Sequence, residues 1–482
     1  MCRGTGADTV NKARKIVESA RNLRHSAIPL LWRALTGRGG TSLGLVRCLP
    51  PRYMPEAENT KPYYVELLAT ARQESSPYEP IARRILIVSS TLGPGGAERQ
   101  LVNTTTSLQQ GGYDVHYCGL WLEAAPGNDF HLPRIKESGS RAAGLERRLS
   151  VTRRGVAVAR PRTAEVLSHM SAYMLDVILN MVEELRAARP EIVHSWLDET
   201  NVQVGIAAVI AGVPRIVLSS RSVAPYHFPF HQPYMRPAYQ ALLQMPNVTL
   251  LNNSGAGAQS YADWLGVAPS AIRVIRNGVD MAGHRRADDD RIGAIKSALG
   301  IPVDAPVLGT IFRIGPEKRP RLWVDIAAAL ARQLPGLHFL VVGDGSERQN
   351  MEAHAGACGL QARFHFAGVR KDVDDMLSVM DVFLLTSEVE GLPNVLIEAQ
   401  WLGVPVVTTK AGGAGEAIDP GETGWLVDSA QPEALASPIH DLLCHSERRR
   451  KIRDLGPAFI AARFGVGRMV DETIDAYGLT KP

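Results

Sequence analysis

Four short stretches of this 482-residue chain place chemically able side chains where an apolar run gives way to a turn. The first is Gly93-Pro94-Gly95-Gly96-Ala97-Glu98. Gly95 and Gly96 let backbone amides approach a phosphate, and a following helix N-terminus adds free N–H groups and a positive dipole. The spacing is not G-x-G-x-x-G, and by itself the stretch reads equally as a tight turn. The second is Arg313 and Lys318, in Phe312-Arg313-Ile314-Gly315-Pro316-Glu317-Lys318. Two fixed cations can clamp a diphosphate and stabilise charge on a departing one; a solvated loop with Glu317 neutralising one cation is the plain alternative. The third is Glu390-Gly391-Leu392-Pro393-Asn394-Val395-Leu396-Ile397-Glu398. Its carboxylates can accept hydrogen bonds from sugar hydroxyls while amides after Gly391 hold a phosphate. An acidic first turn, which the helix dipole favours anyway, explains the same letters. The fourth, Gly412-Gly413-Ala414-Gly415-Glu416, suits a second phosphate contact or only a loop.

His194, in Val193-His194-Ser195-Trp196, can serve as a base or donor to substrate, or simply be a satisfied core histidine. His227 and His231 lie in the aromatic-rich stretch 226–234 without metal-ligand geometry. No Walker A sequence occurs, so P-loop ATPase activity is a poor reading, as is zinc hydrolysis.

The elements that must hold these residues are short buried strands alternating with helices. Ile85-Leu86-Ile87-Val88 is wholly apolar and β-branched, as in a strand covered on both faces. Glycine turn and helix follow, the first unit of a nucleotide-binding α/β domain. Further strands are expected at 115–120, 192–195, 215–219 and 248–252, with one long helix over 164–187. A second series has strands at 307–312, 338–342, 364–366, 382–385 and 405–408, with helices at 322–334 and 395–402. The polar stretch 280–291 reads as the linker. The expected fold is therefore α/β, two doubly wound Rossmann-like domains facing a central cleft, with ligands at the strands' carboxyl ends. The expected division is a basic N-terminal extension (1–80), a first domain (81–285), a second domain (286–463) and a closing helix (464–482).

Composition agrees with a folded chain: 45% apolar, 21% charged, with 44 Gly and 31 Pro for turns. The five cysteines are scattered without C-x-x-C, which favours a reducing compartment over a disulfide framework. The net charge of +4 hides an asymmetry, since residues 1–52 hold ten Lys/Arg against two acids. No run of 18 apolar residues suggests a membrane span, and the start does not read as a secretory signal.

Taken in order, Gly95-Gly96-Ala97-Glu98, Asn277-Gly278-Val279-Asp280, Arg313 with Lys318, Val342-Gly343-Asp344-Gly345, Glu390 with Glu398, and the glycines before Glu416 resemble the retaining family-4 glycosyltransferases of GT-B architecture. The resemblance covers roughly residues 83–480. It implies transfer of a sugar from a UDP- or GDP-sugar with the anomeric configuration kept. It places Arg313 and Lys318 on the donor diphosphate, Glu390 on the donor sugar, Gly391, Leu392 and Asn394 near sugar and phosphate, and Val395 among the donor-binding residues. It places Glu398 on the ribose hydroxyls, Gly95 and Gly96 against the phosphate, Gly343 in the donor site, and Gly368-Val369-Arg370 beside the base. Arg313, Lys318 and Glu390 are the expected catalytic set. The sequence departs from the family's pattern at Phe312, where glycine is frequent, and at Arg221, where many members have histidine. Without that histidine, a front-face mechanism fits, in which the leaving phosphate accepts the acceptor's proton. His194 and Arg221 are the acceptor-side candidates. No cofactor beyond the nucleotide sugar and no metal are expected.

The alternatives are a sugar-nucleotide epimerase or phosphorylase of the same architecture, and a non-catalytic sugar- or nucleotide-binding protein. For the acceptor, residues 134–162 hold nine basic side chains (Arg134, Lys136, Arg141, Arg147, Arg148, Arg153, Arg154, Arg160, Arg162) against two acids. Such a surface suits a glycan or lipid-linked acceptor at an anionic membrane, or is a solvated loop. The expectation is a cytoplasmic enzyme, peripheral at the inner face of the plasma membrane, without nucleic-acid binding because aromatics are few among these basics.

Overall fold

The computed structural model describes residues 59–145 and 159–480. The basic stretch 1–52, and Arg147, Arg148, Arg153 and Arg154, lie outside the described residues.

The N-terminal lobe is built on a seven-stranded sheet of β1 (Ile81–Ser89), β2 (Asp114–Gly119), β3 (Arg141–Gly144), β4 (Pro190–Trp196), β5 (Arg215–Ser219), β6 (Val248–Asn252) and β7 (Ile272–Val274). Its order is β3-β2-β1-β4-β5-β6-β7, every pairing parallel. The C-terminal lobe has six strands, β8 (Val307–Ile311), β9 (His338–Val342), β10 (Phe364–Gly368), β11 (Val382–Leu385), β12 (Val406–Thr409) and β13 (Gly424–Val427). They run β10-β9-β8-β11-β12-β13, again all parallel. Each sheet reverses its winding beside its first strand, between β1 and β4 and between β8 and β11. The loops that leave these strands diverge and open a crevice there. The central strands are buried over their apolar runs, with β1 buried from Ile85 to Ser89.

Three strands go beyond the expected set, β3, β7 and β13, and all three lie at sheet edges. β3 (Arg-Ala-Ala-Gly) alternates exposed and half-buried positions and so lacks the apolar run that marks a central strand. The single helix expected over 164–187 is two, Pro161–Leu167 and Ala172–Ala188. Ser171 starts the second by accepting a hydrogen bond from the Met174 amide at 3.4 Å.

The boundary expected at residue 81 moves toward the N-terminus. The helix Lys61–Glu74 buries Tyr63, Tyr64, Leu67, Leu68 and Ala71 in the core of the first lobe. Glu74 accepts bonds from the Thr163 amide (2.9 Å) and hydroxyl (2.7 Å), and Tyr63 Oη donates to the Val166 carbonyl (2.9 Å). Burial of such side chains contributes about 1.5–3 kcal/mol each, so this segment is part of the lobe rather than an appendage. The linker is also shorter than expected, because Asp288 caps a helix starting at Asp289.

Two chain crossings join the lobes side by side. The helix Ser446–Phe464 contributes Ile452, Ile460 and Phe464 to the C-terminal core, and the next helix, Val466–Ala476, places Met469 and Ile474 in the N-terminal one. At the crossover the Val279 amide donates to Phe464 O (2.7 Å) and the Val466 amide to Val279 O (3.1 Å). Gly278 permits the contact, since a Cβ there would lie 2.9 Å from Met469 Cβ.

Candidate functional site

The site is built where the loops after β8 and β11 meet the first turn of the N-terminal lobe's helix Gly96–Gln110. After β8 the chain makes the short turn Pro316–Lys318 and then places Arg319 in the left-handed region, at φ +48°. That backbone is costly for a residue with a Cβ. It is held because the Arg319 guanidinium donates to Thr386 O (2.7 Å) and Ser387 O (2.8 Å), while Thr386 Oγ1 donates to Lys318 O (2.7 Å). The two loops are thereby laced together. Lys318 Nζ lies 2.5 Å from Glu390 Oε1, which also accepts from Ser387 Oγ at 2.6 Å.

Arg313 does not join that pair. Its guanidinium bonds Glu317 at 2.7 Å and its side chain is 76% exposed. Of the two cations expected to clamp a diphosphate, Arg313 is neutralised by Glu317, the plain alternative, and Lys318 pairs with Glu390; only Lys318 is part-buried. Phe312, where glycine is frequent in the family, is buried in the lobe's core.

The turn after Glu390 is pressed against neighbouring backbone. A Cβ on Gly391 would lie 2.2 Å from Arg221 O, one on Gly412 2.0 Å from Glu390 O, and one on Gly413 2.2 Å from Gly391 O. Gly412 and Gly413 therefore allow close backbone packing beneath the Glu390 turn, as a plain loop would require. Glu416 reaches the other lobe, accepting from the amides of Gly255 (3.0 Å) and Ala256 (2.9 Å) at the start of the helix Gly255–Leu265 and from Arg276. A carboxylate at a helix N-terminus is favourable through the exposed amides and the dipole.

Pro393 precedes the helix Asn394–Trp401, whose first residue is the centre of a cross-lobe network. Asn394 Oδ1 accepts from Asn277 Nδ2 (2.6 Å) and Gln100 Nε2 (3.1 Å), and Asn394 Nδ2 donates to Gly96 O (3.0 Å). Asn277 Nδ2 also donates to Leu392 O (2.8 Å). Val395 is half-buried in the same turn. One turn on, Glu398 is 3% exposed, with Oε1 2.8 Å from Arg99 of the other lobe and Oε2 without a hydrogen-bond partner. Arg99, Gln100 and Arg319 are absent from the residues that the sequence points to, and Asn277 enters there only within the motif Asn277-Gly278-Val279-Asp280. The signal that could have found Arg99 is its place just after the Gly95-Gly96 turn.

Gly95 faces its own helix: a Cβ there would meet Glu98 Oε2, so that carboxylate folds over the turn expected to receive phosphate. Burial raises the Glu98 carboxyl above the usual range. Gly343 adopts φ +122°, and a Cβ would lie 2.0 Å from Phe312 O, so it brings the ends of β8 and β9 together. Beside it, Val369 is 70% exposed and Arg370 makes a two-pronged bond to Asp372.

The acceptor-side candidates separate. His194 is 2% exposed, with Nδ1 2.6 Å from Tyr477 Oη and Nε2 3.0 Å from Ser219 Oγ. Burial, and secondly the nearby Arg221 charge, push it down to about 3, so it is a neutral core residue. This corrects its placement on the acceptor side. Arg221 stacks on Trp196 at 4.4 Å and donates to Asn277 Oδ1 at 2.5 Å, while its Nε and Trp196 Nε1 have no partner. Burial lowers it to about 9, which leaves it a cation at neutral pH.

In the Asp-x-Asp spacing Asp372-Val373-Asp374, Asp372 pairs with Arg370 and Asp374 with His284. Among the described residues no group of three His, Cys, Asp or Glu is placed to hold a metal ion.

Known proteins of two kinds resemble this chain. Residues 94–282 match the model described as Glycosyltransferase Family 4 and residues 292–458 that described as Glycosyl transferases group 1. The Vi polysaccharide biosynthesis protein VipC/TviE of Salmonella typhi is 31% identical over 404 residues, 80% of this chain and 70% of that protein. The lipopolysaccharide core biosynthesis glycosyltransferase LpsE of Rhizobium meliloti is 31% identical over 200 residues, 42% of this chain and 56% of that protein. Among solved structures, Anabaena HepE in complex with UDP and glucose aligns with a TM-score of 0.66 at 21% identity, over 82% of this chain and 99% of its own. That likeness is one of fold. With both lobes matched in order and the first relative spanned over most of its length, the chain belongs to the family-4 glycosyltransferases of GT-B architecture.

Proposed function

We propose that this glycosyltransferase moves a sugar from a UDP- or GDP-sugar to a glycan or lipid-linked acceptor, with retention of anomeric configuration, in the assembly of a cell-surface polysaccharide. The observation that carries the reading is the Lys318–Glu390 pair at the winding reversal of the second sheet, facing Gly96 of the other lobe through Asn394. The names of the relatives, a polysaccharide and a lipopolysaccharide biosynthesis protein, support the choice of product class.

In this mechanism Lys318, joined by Arg313 once it turns from Glu317, carries the developing charge of the diphosphate. Glu390 and the backbone at Gly391, Leu392 and Asn394 orient the sugar, with Glu398 on the ribose hydroxyls and Val369 and Arg370 beside the base. Gly343 keeps the strand ends close enough to form the floor. The bond from the anomeric carbon to the phosphate oxygen breaks as the bond to the acceptor oxygen forms on the same face. The acceptor's proton passes to the leaving phosphate. Charge stabilisation and orientation then do what no side chain here does as a strong base. Arg221, a cation in the cleft without a carboxylate partner, borders the acceptor's approach. No metal or cofactor beyond the donor takes part in this scheme.

Incubation with UDP- and GDP-sugars and candidate glycans, with nucleoside diphosphate release and product anomeric configuration followed together, tests it. Inverted product rejects retention, and nucleotide release unchanged in Lys318→Ala rejects the site. Attachment at the inner face of the plasma membrane is part of the proposal, prompted by the basic stretch that includes Arg134, Lys136, Arg141, Arg160 and Arg162 and by the basic leader. No helix among the described residues is long and apolar enough to cross a membrane. Sedimentation with anionic vesicles at low and high salt tests attachment, and indifference to lipid charge rejects it.

A further inference from the structure

We propose that Arg99 is a positioning residue of the donor site, supplied by the opposite lobe: it holds one oxygen of Glu398 so that the other is presented to the vicinal hydroxyls of the donor's ribose. The inference rests on the proposed function, which puts Glu398 at those hydroxyls, and adds the group that aims it.

Glu398 is almost wholly buried, and an ionised carboxylate there is costly unless paired and hydrogen-bonded. Arg99 satisfies Oε1 at 2.8 Å, and Oε2 has no partner. A carboxylate has about four acceptor positions, so one guanidinium contact leaves the group under-satisfied. Two adjacent O–H donors on one ring are the chemistry that completes it.

Arg99 is also held where it is needed. Its amide closes the first turn of its helix onto Gly95 O at 3.1 Å. The next residue, Gln100, bonds the Gly278 amide (2.9 Å) and Asn394 (3.1 Å), and Asn394 returns a bond to Gly96 O. Asn394 and Glu398 are four apart on one helix and so share a face. The bonds that dock Asn394 on the N-terminal lobe thus set the reach from Arg99 to Glu398. Glu398 is correctly held only when the lobes are docked, which makes nucleotide recognition by one lobe depend on the other.

The test is calorimetric titration of the full chain with UDP and GDP and with their 2′,3′-dideoxy forms. Arg99→Ala should weaken binding of the ribonucleotide about tenfold, the scale of a hydrogen bond to a charged group, and barely alter binding of the dideoxy form. Arg99→Lys should recover part of the loss, and Arg99→Ala added to Glu398→Gln should cost nothing further. Equal losses for both nucleotide forms would overturn the inference, because Arg99 would then act on lobe packing alone. Tighter binding by Arg99→Ala would also overturn it, showing that Arg99 competes with the donor. Wild-type chain that binds neither ribonucleotide would reject the functional reading, and this inference with it.

Discussion

At the scale of residues, the site is organised by which polar group holds which. Lys318 and Glu390 are each under one-fifth exposed and lie 2.5 Å apart, so removing one leaves the other with an uncompensated charge. Lys318→Ala and Glu390→Ala are each expected to lower kcat/KM for sugar transfer by about 100-fold or more, on the scale of lost charge stabilisation. The double variant should be little worse than either, as steady-state kinetics on the three proteins will show. The glycines under the Glu390 turn act by size. Gly412→Ala would set a Cβ 2.0 Å from Glu390 O at φ +47°, whereas Gly127→Ala, at φ +86°, meets nothing within 4 Å. Gly127→Ala is expected to cost about 1 kcal/mol from its backbone conformation alone. Gly412→Ala should cost clearly more and also depress transfer, which denaturant midpoints and activity measured side by side will check.

At the scale of elements, two connections decide how the second sheet presents its loops. Arg319 combines an unfavourable φ with a strap to the carbonyls of Thr386 and Ser387. Arg319→Gly removes the strap but also the backbone strain, and Arg319→Ala removes only the strap. Both variants are expected to raise the donor KM severalfold, while the glycine variant unfolds at higher denaturant than the alanine one. The linker carries a second device, His284, whose Nδ1 lies 2.8 Å from Asp374. The hydrogen bond to Asp374, ahead of the opposing effect of burial, raises the imidazole above its ordinary value. The stabilisation is therefore fully present below the unfolded-state value of about 6.5 and is lost as pH rises through the raised folded-state value. The stability difference between wild type and His284→Asn should be larger at pH 5.5 than at pH 9, as urea midpoints at the two pH values will test.

At the scale of the whole molecule, the lobes are joined by two chain crossings and by polar contacts across the cleft. Glu416 on the helix Gly255–Leu265, Asn394 among Gln100, Gly96 and Asn277, and Arg99 on Glu398 are among the contacts not enforced by chain connection. Glu416→Ala leaves the helix amides of Gly255 and Ala256 without that partner. It is expected to increase the radius of gyration in solution scattering, with folded content unchanged by circular dichroism. A scattering profile identical to wild type would show that the remaining contacts hold the lobes by themselves.

Much of this was legible in the chain itself. Short apolar runs such as 85–88, 339–342 and 382–385 required buried parallel strands, because strand burial depends on residues adjacent in sequence. The positions of Lys318, Glu390 and Glu398 after strand ends followed from the same local pattern. Edge strands such as β3 escaped because half-exposed backbone needs no apolar run, and the helix Lys61–Glu74 escaped assignment to the first lobe because its own letters do not say what covers it. Only tertiary structure decided that His194 is closed between Tyr477 and Ser219 and that Arg99 reaches Glu398. Propensity and periodicity act over a few residues, whereas these partners, 283 positions apart for His194 and Tyr477, are chosen by how packed elements and lobes meet.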